Sequence, residues 1–151
     1  MERFDSDPIP ISPAVRAGRF SAADLIFYDV EHAGPSFEAL VFLNPPEVEA
    51  DSPRDPEVGY AGSFVVFGHG GCFGEEGHCD VPKEGKDPFD NRPLHPLTPL
   101  TKMVDVTAAL TNAAGEGEHL RVSVLPILPG PERPELSDVL FFSSMRLVAY
   151  D

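Results

Sequence analysis

Positive charge is scarce in this sequence. Lys and Arg number 11 against 25 Asp and Glu, leaving a formal net charge of −14. Neutralising phosphates needs a basic surface, so the charge argues against nucleic acid as a partner. It argues equally against an anionic membrane surface. The acidity serves solubility, and it also favours a basic partner or metal cations. Long apolar runs are missing as well: no stretch approaches the ~20 residues of a membrane-spanning helix. The N-terminal Met1-Glu2-Arg3-Phe4-Asp5-Ser6-Asp7 lacks the basic-then-apolar layout of a secretion signal. The expectation is a soluble, cytoplasmic protein, unless it is exported together with a partner. There is no G-x-S-x-G nucleophile turn, no phosphate-binding glycine loop and no dinucleotide fingerprint. Cysteine is limited to two residues.

What the chain does hold is enough apolar material for a core. It has 151 residues, 42% of them hydrophobic, which suits one domain with a buried interior. Its 17 prolines break helices and are confined to strand edges and turns, which excludes a helical bundle. Residues 23–31 and 36–43 are rich in β-formers and flank the turn signal His32-Ala33-Gly34-Pro35, so they read as a hairpin. Leu25, Phe27 and Asp29 alternate with Ile26, Tyr28 and Val30. Residues 44–58 read as a solvated loop, mobile at its tip. Residues 60–68 form a third strand, with small residues at Ala61-Gly62-Ser63 where another backbone can approach. Residues 101–106, 118–128 and 139–150 add further strands. Thr107–Ala114 reads as a short helix with Thr107 as N-cap and Gly115 past its end.

The fold class that follows is all-β: an antiparallel β-sandwich or partly closed barrel of about six or seven strands with one short helix. Residues 1–19 read as an extended arm, in which Ile9-Pro10-Ile11 offers one short edge strand. Residues 20–151 read as a single β-sandwich domain, with a Gly/Cys/His loop at 68–79 and a Pro-rich loop at 80–99.

Both cysteines and two of the five histidines fall inside Gly68-His69-Gly70-Gly71-Cys72-Phe73-Gly74-Glu75-Glu76-Gly77-His78-Cys79. His69, Cys72, His78 and Cys79 offer imidazole and thiolate donors suited to zinc, copper or another soft or borderline ion. The glycines let the backbone wrap tightly. Two other readings stand beside this one. Cys72 and Cys79 can form a disulfide that staples the loop, or they can be inert buried thiols with the histidines facing solvent. His95, in Leu94-His95-Pro96, is a weaker candidate for an additional ligand. Glu75 and Glu76 keep the loop wet, and Phe67 and Phe73 anchor it by packing. His32 and His119 read as ordinary turn and surface histidines.

Several segments resemble the C-terminal β-domain of the polyphenol oxidase and tyrosinase family of type-3 copper proteins. They are Ala23-Asp24-Leu25-Ile26-Phe27-Tyr28-Asp29-Val30, then Gly59-Tyr60-Ala61-Gly62-Ser63-Phe64 and a His-containing loop. Met103-Val104-Asp105-Val106-Thr107-Ala108-Ala109-Leu110 follows, then Leu120-Arg121-Val122-Ser123-Val124-Leu125-Pro126 and the closing Met145-Arg146-Leu147-Val148-Ala149-Tyr150. The likeness runs over residues 20–151, and Tyr60–Phe64 is its most specific part.

The resemblance implies a domain with no chemistry of its own. In that family the β-domain lies over the dicopper site of the oxidase domain, blocks substrate access, and assists maturation or copper loading. The copper ligands there are histidines of a helical bundle. By the same resemblance, the expected partner is a tyrosinase-like dicopper oxidase domain or subunit. The Cys/His loop departs from the family pattern. Cysteines near the copper in some relatives handle the metal, which extends that expectation to Cys72 and Cys79. Phe73 becomes a candidate plug for a partner's active site, beside its ordinary anchoring role. The alternative is an independent zinc- or copper-binding β-domain with a structural or binding role. A small Cys/His metalloenzyme is a third reading, and it requires an open coordination position beside a cleft.

Overall fold

A computed structural model describes residues 3–45, 47–69, 98–130 and 139–151. Strands β1 (Phe4–Asp5) and β2 (Ile9–Pro10) precede a four-residue helix α1 (Pro13–Arg16). Then come β3 (Ala22–Val30), β4 (Phe37–Leu43), β5 (Tyr60–Val66) and β6 (Leu100–Asp105). Helix α2 (Thr107–Ala113) leads through a 3₁₀ turn to β7 (His119–Leu120), β8 (Val122–Ile127) and β9 (Ser144–Tyr150). The short edge strand expected in Ile9-Pro10-Ile11 is β2, paired with β7.

The strands form two main antiparallel sheets, ordered β1-β8-β4-β5 and β6-β3-β9. Among the described residues neither sheet closes into a barrel, and the all-β sandwich is the architecture observed. Between the sheets lies one core cluster, with Leu25 and Phe27 from β3, Val41 from β4, Val66 from β5 and Val122 and Val124 from β8. All six are fully buried. This burial of apolar area is what drives the two layers together.

The hairpin expected between residues 23–31 and 36–43 does not form. β3 pairs with β6 and β9, whereas β4 pairs with β5 and β8. Residues 31–36 carry the chain from one sheet to the other. Each strand is central in its own sheet, so both apolar inner faces meet the same core only from opposite layers.

The phase of β3 also differs from simple alternation. Its register shifts between Phe27 and Val30, and Asp29 adopts φ +55°. This bulge turns Val30 into the core and Asp29 outward. Asp is among the residues that tolerate positive φ, and the Ser143 hydroxyl donates to its Oδ2 at 2.6 Å.

The 44–58 loop is largely exposed, as expected, and is held to the sheet surface at two points. β4 is apolar on both faces, and the outer-face residues Leu40 and Phe42 pack with Leu125 and with Val48 of the loop. Arg54 then clamps the loop down with a two-pronged bond to Glu38, at 2.8 and 2.9 Å.

At α2, Val106 and not Thr107 occupies the cap position. The Thr107 hydroxyl instead accepts the Ala23 N–H at 2.9 Å, tying the helix to β3. The Thr107 N–H is satisfied by the Asp105 carboxylate at 2.9 Å. Gly115 lies past the end of α2, as expected, within the 3₁₀ turn Ala114–Glu116 that follows the helix. At Gly62 the close neighbour is a side chain and not the backbone expected: φ is +136°, and a Cβ there would lie 2.6 Å from Val104 Cγ1 of the other sheet, with the nearest backbone atom, the Asp105 carbonyl oxygen, at 3.8 Å. No helix among the described residues is long and apolar enough to cross a membrane.

Candidate functional site

The site begins where β5 leaves the sheet. Val66 is buried in the core, but Phe67 is 77% exposed. At Gly68 the backbone runs against Gly34 and Pro35 so closely that any Cβ would collide with them. The Gly68 N–H donates to the Ser36 hydroxyl at 3.0 Å. This contact delivers His69 to the β3–β4 connection, where its backbone N–H donates to the His32 carbonyl at 2.9 Å.

The two histidine rings meet edge to face, with centroids 5.0 Å apart and planes 67° apart. His69 Nδ1 lies 3.3 Å from the His32 carbonyl oxygen. His32 Nε2 lies 2.9 Å from the carbonyl oxygen of Thr98. His32 therefore contacts the described residues on both sides of the segment 70–97. His69 is exposed and His32 half-buried.

Of the sequence-derived candidates, His69 is the one placed by the described residues. Cys72, Phe73, His78, Cys79 and His95 lie outside them, and so does the Cys72–Cys79 pairing. So too do residues 80–97 of the Pro-rich loop and residues 131–137 of the Pro-rich stretch that reads as a turn over 129–137. His119 is an exposed residue of β7. Among the described residues no group of three or more His, Cys, Asp or Glu side chains is arranged to hold a metal. No buried side-chain nitrogen or oxygen among them lacks a hydrogen-bond partner. The sequence reading does not bring His32 to this segment. Nothing local marks it, because its partner is 37 positions away.

A separate cavity of about 370 Å³ opens between the 44–59 loop and α2. Leu43, Pro56, Ala109 and Ala113 give it apolar walls, and Glu47 and Asn112 add polar groups. It holds neither His nor Cys.

Electrostatic perturbation lies elsewhere. The hydrogen bond from Arg54, with a further one from Ser63, holds Glu38 below the usual carboxylate range. Bonds from Thr107 do the same for Asp105. The carboxylate of Asp24 beside Tyr150 pushes that phenol up.

No family model matches this chain, and no curated protein sequence does. Solved structures do. One is "Latent aurone synthase (polyphenol oxidase) from natural source", with a TM-score of 0.52 and 14% identity over 99% of this chain and 24% of that one. The recombinantly expressed latent enzyme gives a TM-score of 0.53 and 15% identity, over 98% and 24% of the two chains. At such identity the likeness concerns fold alone, and this chain spans about a quarter of the length of those it matches. The sandwich described above is thus similar in fold to a domain-sized part of polyphenol oxidase structures.

Proposed function

We propose that this chain is a non-catalytic accessory domain that covers a tyrosinase-like dicopper oxidase, or helps to assemble and metallate it. It would do so as the C-terminal β-domain of polyphenol oxidases does. The observation that carries this reading is the whole-chain likeness in fold to 24% of latent polyphenol oxidase chains. In this reading the copper-binding histidines belong to the partner, and the β-domain supplies a surface. The segment after β5 is the contact region. His69, Cys72, His78 and Cys79 hold copper or zinc there, or Cys72 and Cys79 pair as a disulfide. Phe73 is the plug toward the partner's active site. The net charge of −14 suits a partner face of opposite sign. The setting is cytoplasmic, or export occurs together with the oxidase.

The second reading is an independent zinc- or copper-binding β-domain. The contact between His32 and His69 favours it, because it brings a second imidazole to the loop's first candidate ligand.

Co-expression with a tyrosinase-like helical oxidase encoded beside this chain tests the first reading. The expected result is co-elution of the two, with lower oxidase activity or higher oxidase copper content when this chain is present. Separate elution with unchanged activity and copper content would remove the accessory role.

A further inference from the structure

His32 and His69 come from different connections, one between β3 and β4 and one after β5. Each ring has one nitrogen facing a backbone carbonyl: His32 Nε2 faces Thr98 at 2.9 Å, and His69 Nδ1 faces His32 at 3.3 Å. A carbonyl oxygen only accepts, so those two nitrogens carry the protons. In a neutral imidazole the other nitrogen is then a bare acceptor. The acceptors are Nδ1 of His32 and Nε2 of His69.

This is the arrangement found behind metal-bound histidines. The ring N–H away from the metal is donated to a carbonyl or carboxylate, which fixes the tautomer and raises the basicity of the ligating nitrogen. The spacing agrees as well. Two imidazoles on one tetrahedral ion, at metal–nitrogen distances of about 2.0–2.1 Å, place their ring centres roughly 5 Å apart. The observed separation is 5.0 Å.

We propose that His32 and His69 form a two-imidazole site for a borderline first-row cation, zinc or divalent copper. Imidazole suits both ions. Two protein donors leave coordination positions for water or for the donors of a partner. The site rests on the metal-loop reading only through His69, and it requires neither cysteine.

The test is titration of the full ¹⁵N-labelled chain with Zn²⁺ at neutral pH, following the imidazole nitrogens by NMR. His32 and His69 are expected to shift together and to saturate at one equivalent. A His32 ring that does not respond overturns the site, whatever His69 does. The Cys72→Ser/Cys79→Ser chain should keep the joint shift. Its loss there overturns the two-imidazole site and leaves a cysteine site in its place. His32→Gln keeps a donor for Thr98 but loses the ligand. It should weaken zinc binding by at least the roughly tenfold seen when a group that only orients a ligand is removed. Unchanged affinity in that variant overturns the proposal. The oxidase-partner reading stands or falls separately, on co-elution.

Discussion

Phe27 of β3 and Phe64 of β5 meet across the interior with ring centroids 5.0 Å apart and planes tilted by 47°. Phe27 is fully buried and belongs to one sheet, while Phe64 belongs to the other. Phe142 closes on the Phe27 ring edge to face at 5.2 Å. The three rings thus tie both layers to the segment that precedes β9. Phe27→Ala is expected to cost roughly 3–5 kcal/mol, the usual range for a large aromatic lost from a core. Phe27→Leu, which fills more of the space, should cost less. Urea unfolding measures both, and a loss under about 1 kcal/mol for the alanine variant would contradict this packing.

Glu38 gives stability a pH dependence of known sign. Its carboxyl is held below the ordinary range, first by the hydrogen bond to Arg54 and then by Ser63. A group with a depressed folded-state pKa stabilises above its unfolded value and loses that contribution as pH falls through the folded value. Wild type should therefore lose more stability than Glu38→Gln between neutral and acidic pH. The excess should appear only below the ordinary glutamate range. The pair is at the surface and screened, so the effect is small and shrinks with salt. Parallel stability curves for the two proteins would rule the linkage out.

Gly68 has no room for a side chain. Its Cβ position falls on the Gly34 and Pro35 backbone. Gly68→Ala should push the chain off the β3–β4 connection and break the His69–His32 backbone bond. Faster amide exchange at His69 is the expected readout, with weaker zinc binding beside it. Gly18→Ala serves as a contrast, because nothing lies within 4 Å of that position, although its φ of +67° adds local strain. If Gly68→Ala leaves exchange at His69 unchanged, the steric argument fails.

Elemental analysis with thiol counting on one sample addresses the loop. If His69, Cys72, His78 and Cys79 hold a metal, the purified chain should carry zinc or copper. Both thiols should then become titratable only after chelation, because the thiolate is the ligand. A mass two hydrogens lower before reduction, with no metal, would replace the metal reading with the Cys72–Cys79 disulfide.

Much of the sandwich was legible because strand alternation is local. Leu120, Val122 and Val124 repeat every second residue, and all three are fully buried in β7 and β8. Gly62 announced a close approach by its small size, and one exists, though to the Val104 side chain and not to a backbone. Errors arose where a local signal had two meanings. His32-Ala33-Gly34-Pro35 looks the same whether it closes a hairpin or crosses between layers. The Asp29 bulge reversed the facing of two residues, because one extra residue changes the phase of everything after it. Residues 44–58 read as a solvated loop, yet Val48 within it is buried, because the second apolar face of β4 is only recognised once its cover is seen.

Residue type and short spacing were enough to place the longer strands, the excess of acid and the concentration of soft ligands after β5, but not β1 or α1 within the expected extended arm. Tertiary structure alone decided that β3 and β4 belong to opposite sheets, since either pairing satisfies their alternation and only the shared core selects one. It alone brought His32 to His69. Their meeting depends on the Gly68 backbone passing flush against Pro35, a distance that no local pattern in the chain encodes.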